Sequence, residues 1–147
     1  MFTLALCLHL LGAAIWTGGH LILCLRVLPP AMRGRDVEPI RRFEQQFEKL
    51  GLPALLLQVL SGGYLVKFWL PDIGLLWSMN TPVAQVIALK LGLLGLTLAL
   101  AADARLRILP HLDGKRLPQL AWHIIAVTIT SVLFVIAGVA IRNGGRL

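Results

Sequence analysis

Four side chains able to ligate a metal or carry a proton lie inside otherwise apolar stretches: His9, His20, Lys90 and His123. An ionisable group within a membrane-length segment is costly to bury and marks a functional site by default. His9 and His20 bound the segment HLLGAAIWTGGH. Eleven residues at about 100° each return to nearly the same helix face, about 16 Å further along the axis. One metal ion cannot take both, so they serve two levels. Imidazole is a standard axial ligand of haem iron, and a deprotonated lysine amine also coordinates metal. Gly18 and Gly19 leave room beside His20 for a flat macrocycle or a closely packed helix.

Plainer roles stand beside these. An intramembrane histidine can be a hydrogen-bonded packing residue, and Lys90 can meet a helix carbonyl. Gln58, Ser61, Thr128, Thr130 and Ser131 read as interhelical hydrogen-bonding residues. Cys7 and Cys24 are too far apart on one helix to pair and read as small packing residues. Cys24 follows His20 by four residues and shares its face, so it can also complete a copper site. His111, in ILPHLDGK, reads as a solvated loop residue. No carboxylate sits deep in an apolar stretch, since Asp103 falls at a segment end; this argues against a carboxylate proton relay. Neither a P-loop, a zinc-protease motif nor a nucleophile elbow is present.

The elements that must position these residues are membrane helices. The 147-residue chain is 57% hydrophobic and 14% charged, whereas soluble domains carry about a quarter charged residues. Four stretches are long enough to cross a bilayer, over residues 2–28, 50–70, 82–102 and 117–141. The expected fold is all-α, an integral membrane four-helix bundle forming a single domain over 1–147. The first stretch lacks a basic leader and its apolar run is too long for a signal peptide, so it reads as a retained helix. Pro29, Pro30 and Gly34 are expected to stop it. Ile40, Phe43, Phe47 and Leu50 recur at helical spacing, which predicts a short amphipathic cytoplasmic helix between helices 1 and 2. That helix either lies on the inner membrane surface or leads into helix 2, with Gly51 and Pro53 allowing a bend. Trp69 and Trp77 mark one membrane boundary and Trp122 the other. No internal repeat is read.

Charge sets the orientation. Arg26, Arg33, Arg35, Arg41, Arg42 and Lys49 lie between the first two stretches, and Arg105, Arg107, Lys115 and Arg116 between the last two. The other side has only Lys67, Arg142 and Arg146. Positive loops stay cytoplasmic, so both termini face outward. The net charge of +7 then needs no nucleic acid; anionic lipid headgroups are its usual partner. The direction of each helix places His9 with Lys90 toward the outside and His20 with His123 toward the inside. Bis-imidazole ligation by the inner pair would turn haem propionates toward Arg26 or Arg105.

LHLLGAAIWTGGHLILCLRVLP resembles the first helix of the copper resistance protein D (CopD) family. IALKLGLLGLTLALAADARLRILPHL resembles its lysine-bearing helix, and FEKLGLPALLLQVLSGGYLV the helix between. The resemblance spans about the first three-quarters of the chain. The pattern is also similar to HemJ-type protoporphyrinogen oxidases, and that likeness implies His9 and Lys90 as haem-linked positions. The chain lacks that group's Tyr-His ending after helix 1 and its acidic-x-Pro step before helix 4.

The function expected from these residues is a b-type haem protein of a bacterial-type cytoplasmic membrane, with one or two haem b per chain. It would transfer electrons or oxidise a small substrate. A redox partner, or a quinone-like or porphyrin-like small molecule, is the expected ligand class, with the lipid bilayer as surroundings and a homo-oligomer as assembly. Copper handling of the CopD type is the alternative, with Cys7, Cys24 and Met79 as soft donors. A structural subunit of a membrane complex is the third.

Overall fold

A computed structural model describes residues 1–70, 72 and 74–146. Four long helices dominate it: helix 1 (Phe2–Gly34), helix 2 (Glu38–Trp69), helix 3 (Pro82–His111) and helix 4 (Leu117–Arg142), each long and apolar enough to cross a membrane. A short helix, Gly74–Ser78, lies between helices 2 and 3. The protein is a multi-pass membrane helix bundle. Much of its leucine surface is exposed, including Leu56, Leu60, Leu91 and Leu98. In a bilayer this surface meets lipid.

Local sequence explains where the helices start and stop. Thr81 caps helix 3, its hydroxyl accepting from the Ala84 amide at 3.2 Å, with Pro82 at the first helical position. Helix 1 ends where Arg35 turns left-handed, at φ 49°. Asp113 accepts from the amides of Arg116 and Lys115, both at 2.9 Å, just before helix 4 begins. Those two N–H groups, Arg116's foremost, hold its carboxyl below the usual carboxylate range.

Helix 1 ends within the expected segment, at Gly34 and not at its prolines, Pro29 and Pro30. It passes through a π-helical turn, Leu23–Val27, and continues to Gly34. A proline lacks an N–H and presses on the carbonyl four residues back, and the wider i→i+5 turn accommodates that conflict. Helix 2 likewise runs unbroken through Gly51 and Pro53. Of the two arrangements expected for the amphipathic segment, the chain therefore adopts the one that leads directly into helix 2.

Contrary to the expectation of no internal repeat, one is present. Helix 3 also ends through a π-helical turn, Ala104–Ile108, followed by Pro110. The sequences are Leu25-Arg26-Val27-Leu28-Pro29 and Leu106-Arg107-Ile108-Leu109-Pro110. The two π turns are displaced by the same number of residues that separates His9 from Lys90. His9 and Lys90 thus stand the same number of residues before their π-helical turns.

Helix 1 packs along helices 2 and 4, and helix 4 also packs along helix 3. Among the described residues, helices 2 and 3 do not pack along one another. The main core lies at the basic end, around Leu23, Leu28, Ile40, Ile108 and Leu117. A smaller one, Leu70, Ala84 and Ile87, closes the opposite end. Buried hydroxyls join helices between: Thr97 to Thr130 at 3.1 Å, and Thr128 to the His20 carbonyl at 3.2 Å. Ser131 bonds within its own helix, to the Thr128 carbonyl.

Arg41 ties the start of helix 2 to the loop before helix 4, donating to the Leu112 carbonyl at 2.6 Å. Arg41→Ala is expected to cost about 1 kcal/mol, the net worth of such a bond. Denaturant unfolding in detergent measures this. A fall of the same size in Arg42→Ala, whose side chain pairs, among the described residues, with Glu38 on its own helix, would deny Arg41 a special bracing role.

Candidate functional site

The level expected to lie outward is built between helices 1 and 2, which pack along one another. His9 Nδ1 lies 2.9 Å from the Gln58 carbonyl and 3.1 Å from Ser61 Oγ. A carbonyl can only accept, so Nδ1 carries the proton and Nε2 keeps its lone pair. Ser61 spends its own proton on the Leu57 carbonyl at 2.6 Å, so its oxygen is free to accept from His9. The ring rests on Gly62, where a Cβ would lie 3.0 Å from His9 Cε1. Lys90 reaches from helix 3 to within 3.8 Å of the place a Cβ on Gly138 would occupy.

The inner level centres on a cavity of about 130 Å³ lined from all four helices. His20 Nδ1 donates to the Trp16 carbonyl at 2.8 Å, which again leaves Nε2 bare. Its ring is sandwiched by neighbours: Trp16, with centroids 4.4 Å apart, and the edge of Phe47 at 5.6 Å. Of the two glycines beside it, Gly19 admits the Phe47 ring, onto which a Cβ there would fall. A Cβ at Gly18 would have no atom within 4 Å. The space opened by Gly19 is thus occupied by a close neighbouring helix.

His123 enters the same cavity but is directed elsewhere. Its Nδ1 meets the Gln119 carbonyl at 3.0 Å and its Nε2 meets Asp103 Oδ2 at 2.9 Å. With an acceptor on each nitrogen, the ring presents no lone pair to His20. Arg107 binds the other oxygen of Asp103 at 3.2 Å. Arg105 lines the cavity with its guanidinium on Glu48, while Arg26 is exposed. Cys24 packs against the apolar core of the basic end, and Cys7 is exposed.

Glu44 and Trp16 are among the lining residues to which the sequence reading gave no site role. Ile40, Glu44, Phe47 and Gly51 recur at helical spacing, and Ile40 and Gly51 are both buried. Glu44 therefore lies on the bundle-facing stripe of an unbroken helix 2. Read as a separate surface helix, the same segment puts Glu44 among its solvated charges.

The inner level does not fit a haem: its cavity is well below the roughly 300–1,000 Å³ of pockets that hold cofactor-sized ligands. At the other level the His9 ring packs on Gly62 along its Cε1 and Nδ1 side. Among the described residues, no three His, Cys, Asp or Glu side chains converge on one point.

A family described as copper resistance protein D matches residues 41–141. The match covers helices 2, 3 and 4, including Lys90, Arg105 and His123, and leaves out the helix 1 residues His9, His20 and Arg26. It is therefore placed differently from the resemblance read in the first three-quarters of the chain. No curated protein and no solved structure matches the chain.

Proposed function

Since the chain belongs to the copper resistance protein D family, we propose that it handles copper within a bacterial-type cytoplasmic membrane, with His9 and His20 as successive nitrogen donors along helix 1. One observation carries this reading: both histidines commit Nδ1–H to a backbone carbonyl, which leaves Nε2 as the free donor. Ligating histidines are typically held in this way, the second ring nitrogen fixing tautomer and orientation. The two rings lie about three helical turns apart, so they act as an outer and an inner station and not as one centre. Lys90 supplies a second nitrogen at the outer station when it gives up its proton. Imidazole accepts copper in either oxidation state, so passage between stations needs no electron transfer.

Copper accumulation and tolerance in cells with and without the gene test the proposal, together with the metal content and optical spectrum of the purified protein. Copper bound in the preparation and altered cellular copper are the expected results. A preparation free of copper that shows sharp reduced α and Soret bands would replace this reading with a haem one.

A further inference from the structure

Among the described residues, Glu44 is the one cavity carboxylate outside the ion pairs. Those pairs join Arg42 to Glu38, Arg105 to Glu48, and Arg107 and His123 to Asp103. The cavity lining thus holds one ion pair, Arg105 with Glu48, plus the further carboxylate of Glu44. His20 brings a bare Nε2 to the same space.

Trp16 adds a separate indication. It is 7% exposed and lines the cavity, and its Nε1–H has no acceptor. A buried indole N–H ordinarily finds one. The residues that carry three groups without a partner, the Nε2 lone pair of His20, the Glu44 carboxylate and the Trp16 indole N–H, therefore line one small volume. The two π-helical turns flank this cavity, Leu23 from the first and Ala104 and Arg105 from the second lining it. Such turns occur frequently at functional sites.

We infer that this cavity binds a hydrated first-row transition-metal cation of borderline softness, Cu(II) or Zn(II), through Nε2 of His20 and the carboxylate of Glu44. An imidazole and a carboxylate suit these ions. One bound water loses a proton to solvent, since the ion lowers its pKa, and the resulting hydroxide accepts from the Trp16 indole. The volume, about 130 Å³, holds an ion and a few waters. Structural zinc sites close the ion in four protein ligands; two ligands make a site that releases its ion, as a transit station must. The identity of the cargo as copper rests on the family reading above, whereas the cation site itself does not.

Equilibrium dialysis of Cu²⁺ and of Zn²⁺ against the purified full chain in detergent, with electron paramagnetic resonance of the copper form, tests the inference. His20→Ala is expected to abolish inner binding and its nitrogen hyperfine signal. Glu44→Gln, which keeps shape and removes charge, is expected to raise Kd at least about tenfold, and Glu44→Asp to restore part of it. Glu38→Gln, whose carboxylate pairs with Arg42 away from the cavity lining, is expected to change Kd by less than about threefold. Tryptophan fluorescence confirms that each variant is folded. Unchanged affinity in folded Glu44→Gln, or an equal loss in Glu38→Gln, overturns the site and leaves the copper reading standing. Cells whose copper is indifferent to the gene would remove the copper reading and leave the cation site standing.

Discussion

Replacing His9 and His20 together by Ala is expected to lower copper affinity by more than about a hundredfold, while either single change leaves one station working. The size follows from what is removed. Loss of a group that merely orients a ligating histidine already costs about ten- to a hundredfold in metal affinity. Here the donor atom itself disappears at both levels. The levels are independent because the rings hang from different supports, His9 from Gln58 and Ser61 on helix 2 and His20 from its own helix at Trp16. Each single variant should therefore lose a distinct part of the bound copper. His111→Ala, at the exposed last residue of helix 3, should lose none. Metal analysis and dialysis of the four proteins decide the matter: a double variant that keeps its copper would remove helix 1 from the path.

Gly12→Leu is expected to destabilise the bundle by at least about 3 kcal/mol and to dismantle the outer station. A Cβ at Gly12 would lie 2.8 Å from the Ala54 carbonyl oxygen and 3.2 Å from Gln58 Cβ. The obstacle is backbone, so no rotamer change relieves it. Overpacking of this kind costs about 1–3 kcal/mol for modest additions, and leucine adds more. Helices 1 and 2 must separate at the level where Gln58 offers its carbonyl to His9, so the His9 ring loses its support as well. Gly12→Ala should show a smaller loss of the same sort. Gly18→Ala has open space before it and should be neutral, or slightly stabilising through helix propensity. Equal losses at Gly12 and Gly18 in denaturant unfolding would show that the close approach of helices 1 and 2 carries no special weight.

The π turns bear on both results. They place the ends of helices 1 and 3 in the same local geometry, at the same spacing from His9 and from Lys90. The Leu-Arg-Val-Leu-Pro and Leu-Arg-Ile-Leu-Pro segments signal the repeat directly in the sequence. It escapes notice because hydropathy averaging blurs all four helices into similar apolar runs, and because the aligned interior positions differ: His9 answers to Lys90, and Trp16 to Thr97.

What the sequence by itself determined is set by terms that act residue by residue. Apolar runs of membrane length dictated four helices, because a backbone in lipid must satisfy its own hydrogen bonds. The excess of Lys and Arg in two loops dictated which end is basic. The period of the helix put His9 and His20 on one face and, with the helix directions, matched His9 to Lys90. The tertiary structure decided everything that depends on which neighbour a group meets. His20 and His123 share a cavity, yet Asp103 captures the second ring nitrogen of His123. Gly19 admits Phe47 and not a macrocycle. Glu44 turns inward because helix 2 continues through Pro53, a choice that local propensity opposes and that burial of Ile40, Gly51 and Ala54 along one stripe favours. A histidine's free lone pair, a carboxylate's missing partner and an indole's missing acceptor are properties of contacts between helices, and no spacing along the chain encodes them.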